Sequence, residues 1–264
     1  MGGDTLPEIK IMQTALALTT LAGLATAIGA AVALFAKTEN TRILPRALAF
    51  SAGVMLCVSF LELLPTGLAG IQSGFFGLDP WLVTAGAFLL GAMVVAILET
   101  WIPAGLEDAA ASSANRLRKA GLLTAVSLAL HNFPEGVAVF VSNLGQSDAA
   151  GIALTIAVAI HNIPEGIAVA IPVLFATGSR LRAFHLAALS GLTEPLGALL
   201  AWAVLAPFLN PAVLCVVFAV VAGMLVYISL KTLLPEAFAL QGRMDSLASL
   251  ATGGLVMAAS LLSF

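Results

Sequence analysis

Eight runs of apolar residues, each long enough to cross a lipid bilayer as a helix, dominate this sequence. A spanning helix needs about 20 mostly apolar residues. A membrane β-strand instead alternates apolar and polar side chains, which these runs do not. The runs cover roughly residues 8–36, 43–71, 80–102, 119–143, 148–175, 181–207, 211–240 and 244–264, here called spans one to eight. We therefore predict an all-α integral membrane protein with eight transmembrane helices in a single domain, 1–264.

The composition supports this class and argues against others. Hydrophobic residues make up 60% of the chain and charged residues only 9%, which is too apolar for a soluble protein. A net charge of −3 provides no basic patch, so nucleic acid is not an expected partner. Cys57 and Cys215 both fall inside spans and form no metal-binding pair, so we interpret them as buried apolar residues. The residues before span one lack the basic region of a cleavable signal, so this span is expected to remain.

The distribution of Lys and Arg predicts the orientation in the membrane. Basic residues flank the first, third, fifth and seventh connections, whereas the second, fourth and sixth contain none. The positive-inside rule then places the odd-numbered connections in the cytoplasm and both termini outside. The longest connection, 103–118, becomes a cytoplasmic loop between spans three and four.

One six-residue phrase occurs twice near the centre of the chain. His-Asn-Phe-Pro-Glu-Gly begins at His131 in span four, and His-Asn-Ile-Pro-Glu-Gly begins at His161 in span five. On a helix, the His and the Glu four residues later share one face, with the Asn close to it. The proline in each copy removes a backbone donor, so a kink and freed carbonyls are expected. Ionisable groups at membrane depth are costly unless paired, which indicates a functional site.

Imidazole and carboxylate together suit divalent first-row metals such as zinc, iron, manganese and cobalt. If the two copies face each other, they approach a four-ligand shell. Its members would be His131, Glu135, His161 and Glu165. The side chains left for a second ion are Asn132, Asn162 and Glu194, the last near the middle of span six. The structural alternative is a buried polar clamp in which His and Glu merely pair across the helices, but a clamp requires neither Asn nor a second copy.

A second repeat relates spans two and seven. Ala52-Gly53, Ser59 and Leu63-Leu64-Pro65 recur at the same offsets as Ala222-Gly223, Ser229 and Leu233-Leu234-Pro235. Spans two and seven cross the membrane in opposite senses, as do spans four and five. Both pairs are therefore predicted to be inverted repeats in a 3+2+3 arrangement, with spans 1–3 related to 6–8 and span 4 to span 5. Many transporters share this plan, with the substrate site at the repeat interface near mid-membrane.

Three further polar residues lie along the expected route of an ion. Glu62, in the outer half of span two, is a candidate entrance station, and Glu236, near the inner end of span seven, a candidate exit station. Both could instead be carboxylates wetted at the membrane interfaces. His185, near the cytoplasmic start of span six, is either an interfacial residue or an exit ligand.

The two phrases resemble the ZIP family of divalent metal transporters, and its bacterial ZupT-type members in particular. Ser190-Gly191-Leu192-Thr193-Glu194-Pro195 in span six also belongs to this resemblance, which covers most of the chain. It implies uptake of zinc into the cytoplasm, and of related cations such as iron, manganese, cobalt and cadmium. It also implies an eight-helix protein of the bacterial inner membrane with both termini outside.

The resemblance further implies a binuclear centre. Its first site would contain His131, Glu135, His161 and Glu165, and its second Asn132, Glu135, Asn162, Glu165 and Glu194. Met55 matches a methionine that some family members place beside the first metal. The expected partners are divalent ions as transported substrate and the lipid bilayer, without a cofactor, and a homodimer is a further candidate. The chain departs from the family in loop 103–118, which lacks the histidines that are common there.

Two other functions use the same residues. A zinc protease would need His-Glu-x-x-His and a di-iron protein Glu-x-x-His twice, and the sequence contains neither. The order found, with Glu four residues after His, leaves no free general base beside a metal. A metal sensor would need a signalling or partner domain, which the sequence also lacks. We therefore predict a transporter rather than an intramembrane metalloenzyme or a sensor.

Overall fold

A computed structural model describes residues 5–35, 43–71, 77–101, 132–144, 148–205 and 211–262. Helices form nearly all of this part of the chain, and it contains no β-strand, which confirms the all-α prediction. The α-helices are Thr5–Phe35, Ile43–Val58, Leu64–Ile71, Pro80–Trp101, 132–144, Asp148–Thr177, Arg180–Gly191, Thr193–Leu205, Pro211–Ile228, Leu234–Gln241 and Arg243–Leu262.

Seven of the eight predicted spans correspond, within the described residues, to helical segments long and apolar enough to cross a membrane. These are spans one, two, three, five, six, seven and eight. Span four is described only from residue 132 to residue 144. The chain is thus a multi-pass membrane protein. The predicted loop 103–118 lies outside the described residues.

Spans two and seven each contain a five-residue π-helical turn, at Ser59–Leu63 and Ser229–Leu233. The amide of the following leucine donates to the carbonyl of the serine five residues earlier in both turns. Pro65 and Pro235 come one residue later, and their ring nitrogens carry no hydrogen to donate. The wider turn accommodates each proline without ending the helix. Both π turns coincide with the second repeat of the sequence.

Span six is interrupted at Leu192, where the helix Arg180–Gly191 ends and the helix Thr193–Leu205 begins. The Leu192 amide donates to the Leu189 carbonyl, and Thr193 Oγ1 donates to the Ser190 carbonyl at 2.6 Å. Pro195 has no amide hydrogen to continue the first helix across this point. The break places Glu194 in the first turn of the second helix, where the helix dipole favours a carboxylate.

Glycines allow neighbouring spans to pack with their backbones in contact. A Cβ atom on Gly53 in span two would collide with the carbonyl of Leu250 in span eight. A Cβ atom on Gly223 in span seven would collide in the same way with the carbonyl of Phe88 in span three. Small residues at such crossings are typical of membrane helices, since close packing replaces the hydrophobic effect there.

Spans one, two, five and six surround the most enclosed part of the molecule. Span five packs against spans one and two and against the first half of span six. Spans three and eight lie at the periphery and expose large apolar side chains such as Leu89 and Leu255. In a bilayer these side chains contact lipid, so the polar groups of span five are kept from lipid by the other spans.

Candidate metal centre

The second copy of the repeated phrase lies in the middle of the helix Asp148–Thr177. His161, Asn162 and Glu165 are all buried there, with at most 1% of each residue exposed. Residues three and four apart on a helix share a face, so the three side chains project in similar directions. The helix continues on both sides of Pro164, so the phrase remains helical throughout.

Glu135 of span four meets this face of span five. One ligand atom from each of Glu135, His161 and Glu165 lies within 4.8 Å of the others. His161 Nε2 is 3.1 Å from Glu135 Oε1. His131, the remaining member of the predicted four-ligand shell, lies outside the described residues. The part of the centre that is described therefore brings residues of both copies of the phrase together in one buried group.

Glu135 and His161 form an ion-pair contact, which is the interaction that a polar clamp would also make. Within the described residues, neither Glu135 oxygen and neither His161 ring nitrogen makes a hydrogen bond, although the two groups are in contact. Leaving such a buried atom without a partner costs about 1–3 kcal/mol. The atoms outside this contact, Glu135 Oε2 and His161 Nδ1, have no hydrogen-bond partner among the described residues and are available to a cation.

A second group of polar side chains joins spans five and six. Asn162 Nδ2 donates to Glu194 Oε1 at 2.6 Å and to the carbonyl of Ala22 in span one at 2.8 Å. Asn132 Nδ2 of span four donates to the Ser190 carbonyl at 3.4 Å. Spans one, four, five and six are thus linked through the asparagines and the glutamate that the sequence assigned to a second ion.

The glycine that ends each copy of the phrase allows close approach of a neighbouring span. A Cβ atom on Gly136 would collide with the backbone of Glu194. A Cβ atom on Gly166 would collide with the carbonyl of Thr26 in span one. Each glycine follows a proposed glutamate ligand, and the contact at Gly136 brings the backbones beside Glu135 and Glu194 together.

Three carboxylates lie in this buried region. Glu135, Glu165 and Glu194 are near enough to one another for electrostatic repulsion between them. Repulsion between buried like charges is strong because little water screens it. A divalent cation would relieve this repulsion, and the mixture of imidazole, carboxylate and amide oxygen suits a first-row transition metal.

Met55 of span two is fully buried, and its sulfur accepts a long hydrogen bond of 3.6 Å from Ser229 Oγ in span seven. This contact lies at the start of the second π turn. The placement of Met55 beside the first metal stays a prediction. Glu62 lies in the first π turn and is half-buried. Its carboxylate accepts a hydrogen bond from Thr66.

The other two pathway candidates lie at the surface. Glu236 is exposed in the first turn of the helix Leu234–Gln241. His185 is exposed in the helix Arg180–Gly191, with its ring 5.8 Å from that of Phe184. Neither residue joins the buried groups of the centre, and their roles as exit stations remain predictions.

Span one was absent from the site predicted from the sequence, yet it forms one wall of the centre. The Ala22 carbonyl binds Asn162, and Thr26 lies against the glycines of spans five and six. A signal was present in the sequence. Gly23 and Gly29 lie three residues before and after Thr26. Gly191 and Gly197 lie at the same distances from Glu194.

Comparison with known proteins gives consistent matches over nearly the whole chain. The family model described as ZIP Zinc transporter matches residues 103–261. A protein named Zinc transporter ZupT from Chlorobium luteolum is 47% identical over 260 residues, which cover 95% of this chain and 97% of that protein. The Zinc transporter ZupT of Corynebacterium aurimucosum is 43% identical over 265 residues, with 97% and 99% covered. That of Streptococcus mutans serotype c is 41% identical over 258 residues, with 95% and 97% covered.

Proposed function

The chain belongs to the ZIP zinc transporter family, and from this premise we propose that it carries zinc across the membrane into the cytoplasm. The resemblance noted in the sequence is thereby confirmed. Members of this family are transporters rather than enzymes, so the metalloenzyme alternative is set aside. Zinc is then the transported substrate, and the function requires no cofactor.

The observation that carries this proposal is the buried group of Glu135, His161 and Glu165. Its ligand atoms lie within 4.8 Å of one another and come from two different spans. Glu165 supports an ion-binding role, because a clamp between one His and one Glu would not require a third group. A site assembled from two spans can also be opened by moving one span against the other, which a carrier needs.

We assign the ligands to two ions. The first would be held by His131, Glu135, His161 and Glu165, with Met55 as an additional contact. The second would be held by Asn132, Glu135, Asn162, Glu165 and Glu194. The contact between Asn162 and Glu194 supports the second group, because it joins two of its members directly. The two shared glutamates would bridge the ions.

The 3+2+3 inverted arrangement is supported by matched contacts. Gly53 of span two meets Leu250 of span eight, and its repeat equivalent Gly223 meets Phe88 of span three. Two further contacts join the same pairs of spans in the reverse direction, with the glycine now in span eight or span three. They join Gly253 to Phe50 and Gly91 to Val220. Phe50 and Val220 are as far apart in the sequence as Gly53 and Gly223. Phe88 and Gly91 in span three likewise lie at one common separation from Leu250 and Gly253 in span eight. Two inverted halves would produce this pattern.

The proposed route runs from Glu62 on the outside, through the centre, to Glu236 or His185 on the inside. It assumes the bacterial inner membrane and termini outside, as the basic residues of the connections predict. Iron, manganese, cobalt and cadmium are further candidate substrates, since imidazole and carboxylate ligands also accept them. A homodimer is compatible with this function.

Zinc flux into sealed proteoliposomes tests the proposal. Purified protein is reconstituted, zinc is added outside, and a trapped fluorescent zinc indicator reports its arrival. Zinc should enter faster than into protein-free liposomes of the same composition. A protein that binds zinc but gives no flux would be a sensor and would overturn the proposal.

A further inference from the structure

Thr26 of span one is fully buried, and its hydroxyl has no hydrogen-bond partner among the described residues. A buried hydroxyl normally forms at least one hydrogen bond. Thr26 Oγ1 is therefore available to bind a further ligand.

Thr26 differs in its hydrogen bonding from two threonines earlier in the same helix. Thr19 and Thr20 donate to the carbonyls four residues before them, at 2.8 and 2.7 Å, as threonines in helices commonly do. The corresponding carbonyl for Thr26 belongs to Ala22. That carbonyl instead accepts Asn162 Nδ2 at 2.8 Å, and Thr26 makes no bond to it.

Thr26 lies at the junction of spans one, five and six. Its carbonyl is in close contact with Gly166, the residue after Glu165 in span five. A Cβ atom on Gly191 would lie 2.9 Å from Thr26 Oγ1, so the hydroxyl is directed toward span six. Gly23, on the same face of span one, would meet Glu194 Cβ at 3.4 Å if it carried a Cβ atom.

Two further oxygens beside this junction are also unpartnered within the described part of the chain. Asn162 Nδ2 makes two hydrogen bonds, to Ala22 and Glu194, and its Oδ1 makes none. Glu194 uses Oε1 to accept from Asn162, and its Oε2 accepts no bond. Three buried side chains of three spans thus each present one unsatisfied oxygen.

We propose that the Thr26 hydroxyl is a ligand of the second ion, together with Asn162 Oδ1 and Glu194 Oε2. This inference rests on the proposed function and adds span one to its binding centre. The hydroxyl would bind as a neutral donor and keep its proton, so it adds no charge to the site. Because all three donors are oxygens, this position would accept hard divalent cations such as manganese more readily than the His-containing position.

Equilibrium binding to the purified protein tests this role. Zinc and manganese titrations of the wild-type protein in detergent are compared with those of Thr26→Val, which keeps a similar shape but lacks the hydroxyl. Thr26→Ser retains the hydroxyl. Thr19→Val is the matched control, because Thr19 is equally buried in the same span but already donates to Ala15.

Thr26→Val should weaken the second, weaker binding step at least about tenfold, a loss typical of removing an interaction around a metal. The affinity of the first binding step should stay within about twofold of the wild-type value. Thr26→Ser and Thr19→Val should bind both ions with the affinities of the wild type. Unchanged binding of both ions by Thr26→Val would overturn the role of Thr26 and leave zinc transport untouched. A wild-type protein that binds a single ion would also overturn it. A wild-type protein that binds no zinc would instead contradict the proposed function itself.

Thr26→Cys provides an independent readout if Thr26→Val does not fold. Replacing oxygen by sulfur should raise the affinity of the second step for cadmium relative to manganese, because sulfur is the softer ligand. A ratio of affinities equal to that of the wild type would contradict the proposal.

Discussion

His161 Nε2 in span five lies 3.1 Å from Glu135 Oε1 in span four, and both side chains are 99% buried from solvent. The contact does not have the geometry of a hydrogen bond. With Glu165, the two groups form a set of three ligand atoms from separate helices that lie within 4.8 Å of one another, as a coordinated cation would require. The relationship also makes the centre sensitive to any shift between spans four and five.

Glu165 is central to the proposed mechanism because it is assigned to both ions. Glu165→Gln keeps the size of the side chain but removes its charge, so zinc uptake into proteoliposomes should fall at least about tenfold. Asp245→Asn, an exposed carboxylate at the start of span eight, makes the same chemical change away from the centre and should transport normally. Equal uptake by the two variants at equal protein content would count decisively against the site.

Glu194 should affect only the second ion. Glu194→Gln should reduce the number of zinc ions bound per protein from two to one, as measured by equilibrium dialysis, because the first ligand set remains complete. The Glu194 backbone packs on Gly136, and glutamine leaves that contact unchanged. Loss of the tighter binding step instead would show that the division of ligands between the two ions is wrong.

Gly166 should tolerate no side chain. A Cβ atom there would collide with the Thr26 carbonyl and approach the Ala30 amide nitrogen, and these backbone atoms of span one leave little room to adjust. Gly166→Ala should therefore lower the free energy of unfolding by about 1–3 kcal/mol, as overpacking does, and lower the melting temperature in detergent. Gly86→Ala is the control, since nothing lies within 4 Å of its added Cβ atom. A melting temperature of Gly166→Ala equal to that of the control would contradict the close packing of spans one and five.

Acid should slow zinc uptake. Carboxylate and imidazole bind zinc only when deprotonated, so protons compete with the metal for the same atoms. Initial rates in proteoliposomes should fall as the external pH is lowered, and a higher zinc concentration should restore them. If saturating zinc fails to restore the rate, protons act somewhere other than the metal ligands.

Both termini should be reachable from outside the cell. An epitope tag at either end should bind antibody on intact spheroplasts, because the basic connections are retained in the cytoplasm. A tag in loop 103–118 should bind only after permeabilisation. The opposite pattern would reverse the proposed orientation and the direction of the route.

Seven of the eight spans, and the shared burial of His161, Asn162 and Glu165 on one helix, could be predicted from the sequence because both depend on local spacing. Apolar length defines a membrane helix, and an i to i+4 spacing defines a shared face, without reference to distant residues. The meeting of Glu135 with His161 and Glu165 is a contact between two spans, and the tertiary structure decided it. The π turns required coordinates, since a proline after a helical turn is compatible with a kink, a break or a wider turn.

Only the tertiary structure decided that span one belongs to the centre. Thr26 has no acidic or imidazole group, and by spacing alone it resembles Thr19 and Thr20, which bond within their own helix. Its hydroxyl is distinguished by Asn162, which takes the Ala22 carbonyl from a helix distant in sequence. Hydrogen-bond competition of this kind depends on which helices pack together. Glycine contacts between spans allow that packing, and they are made between residues distant in sequence.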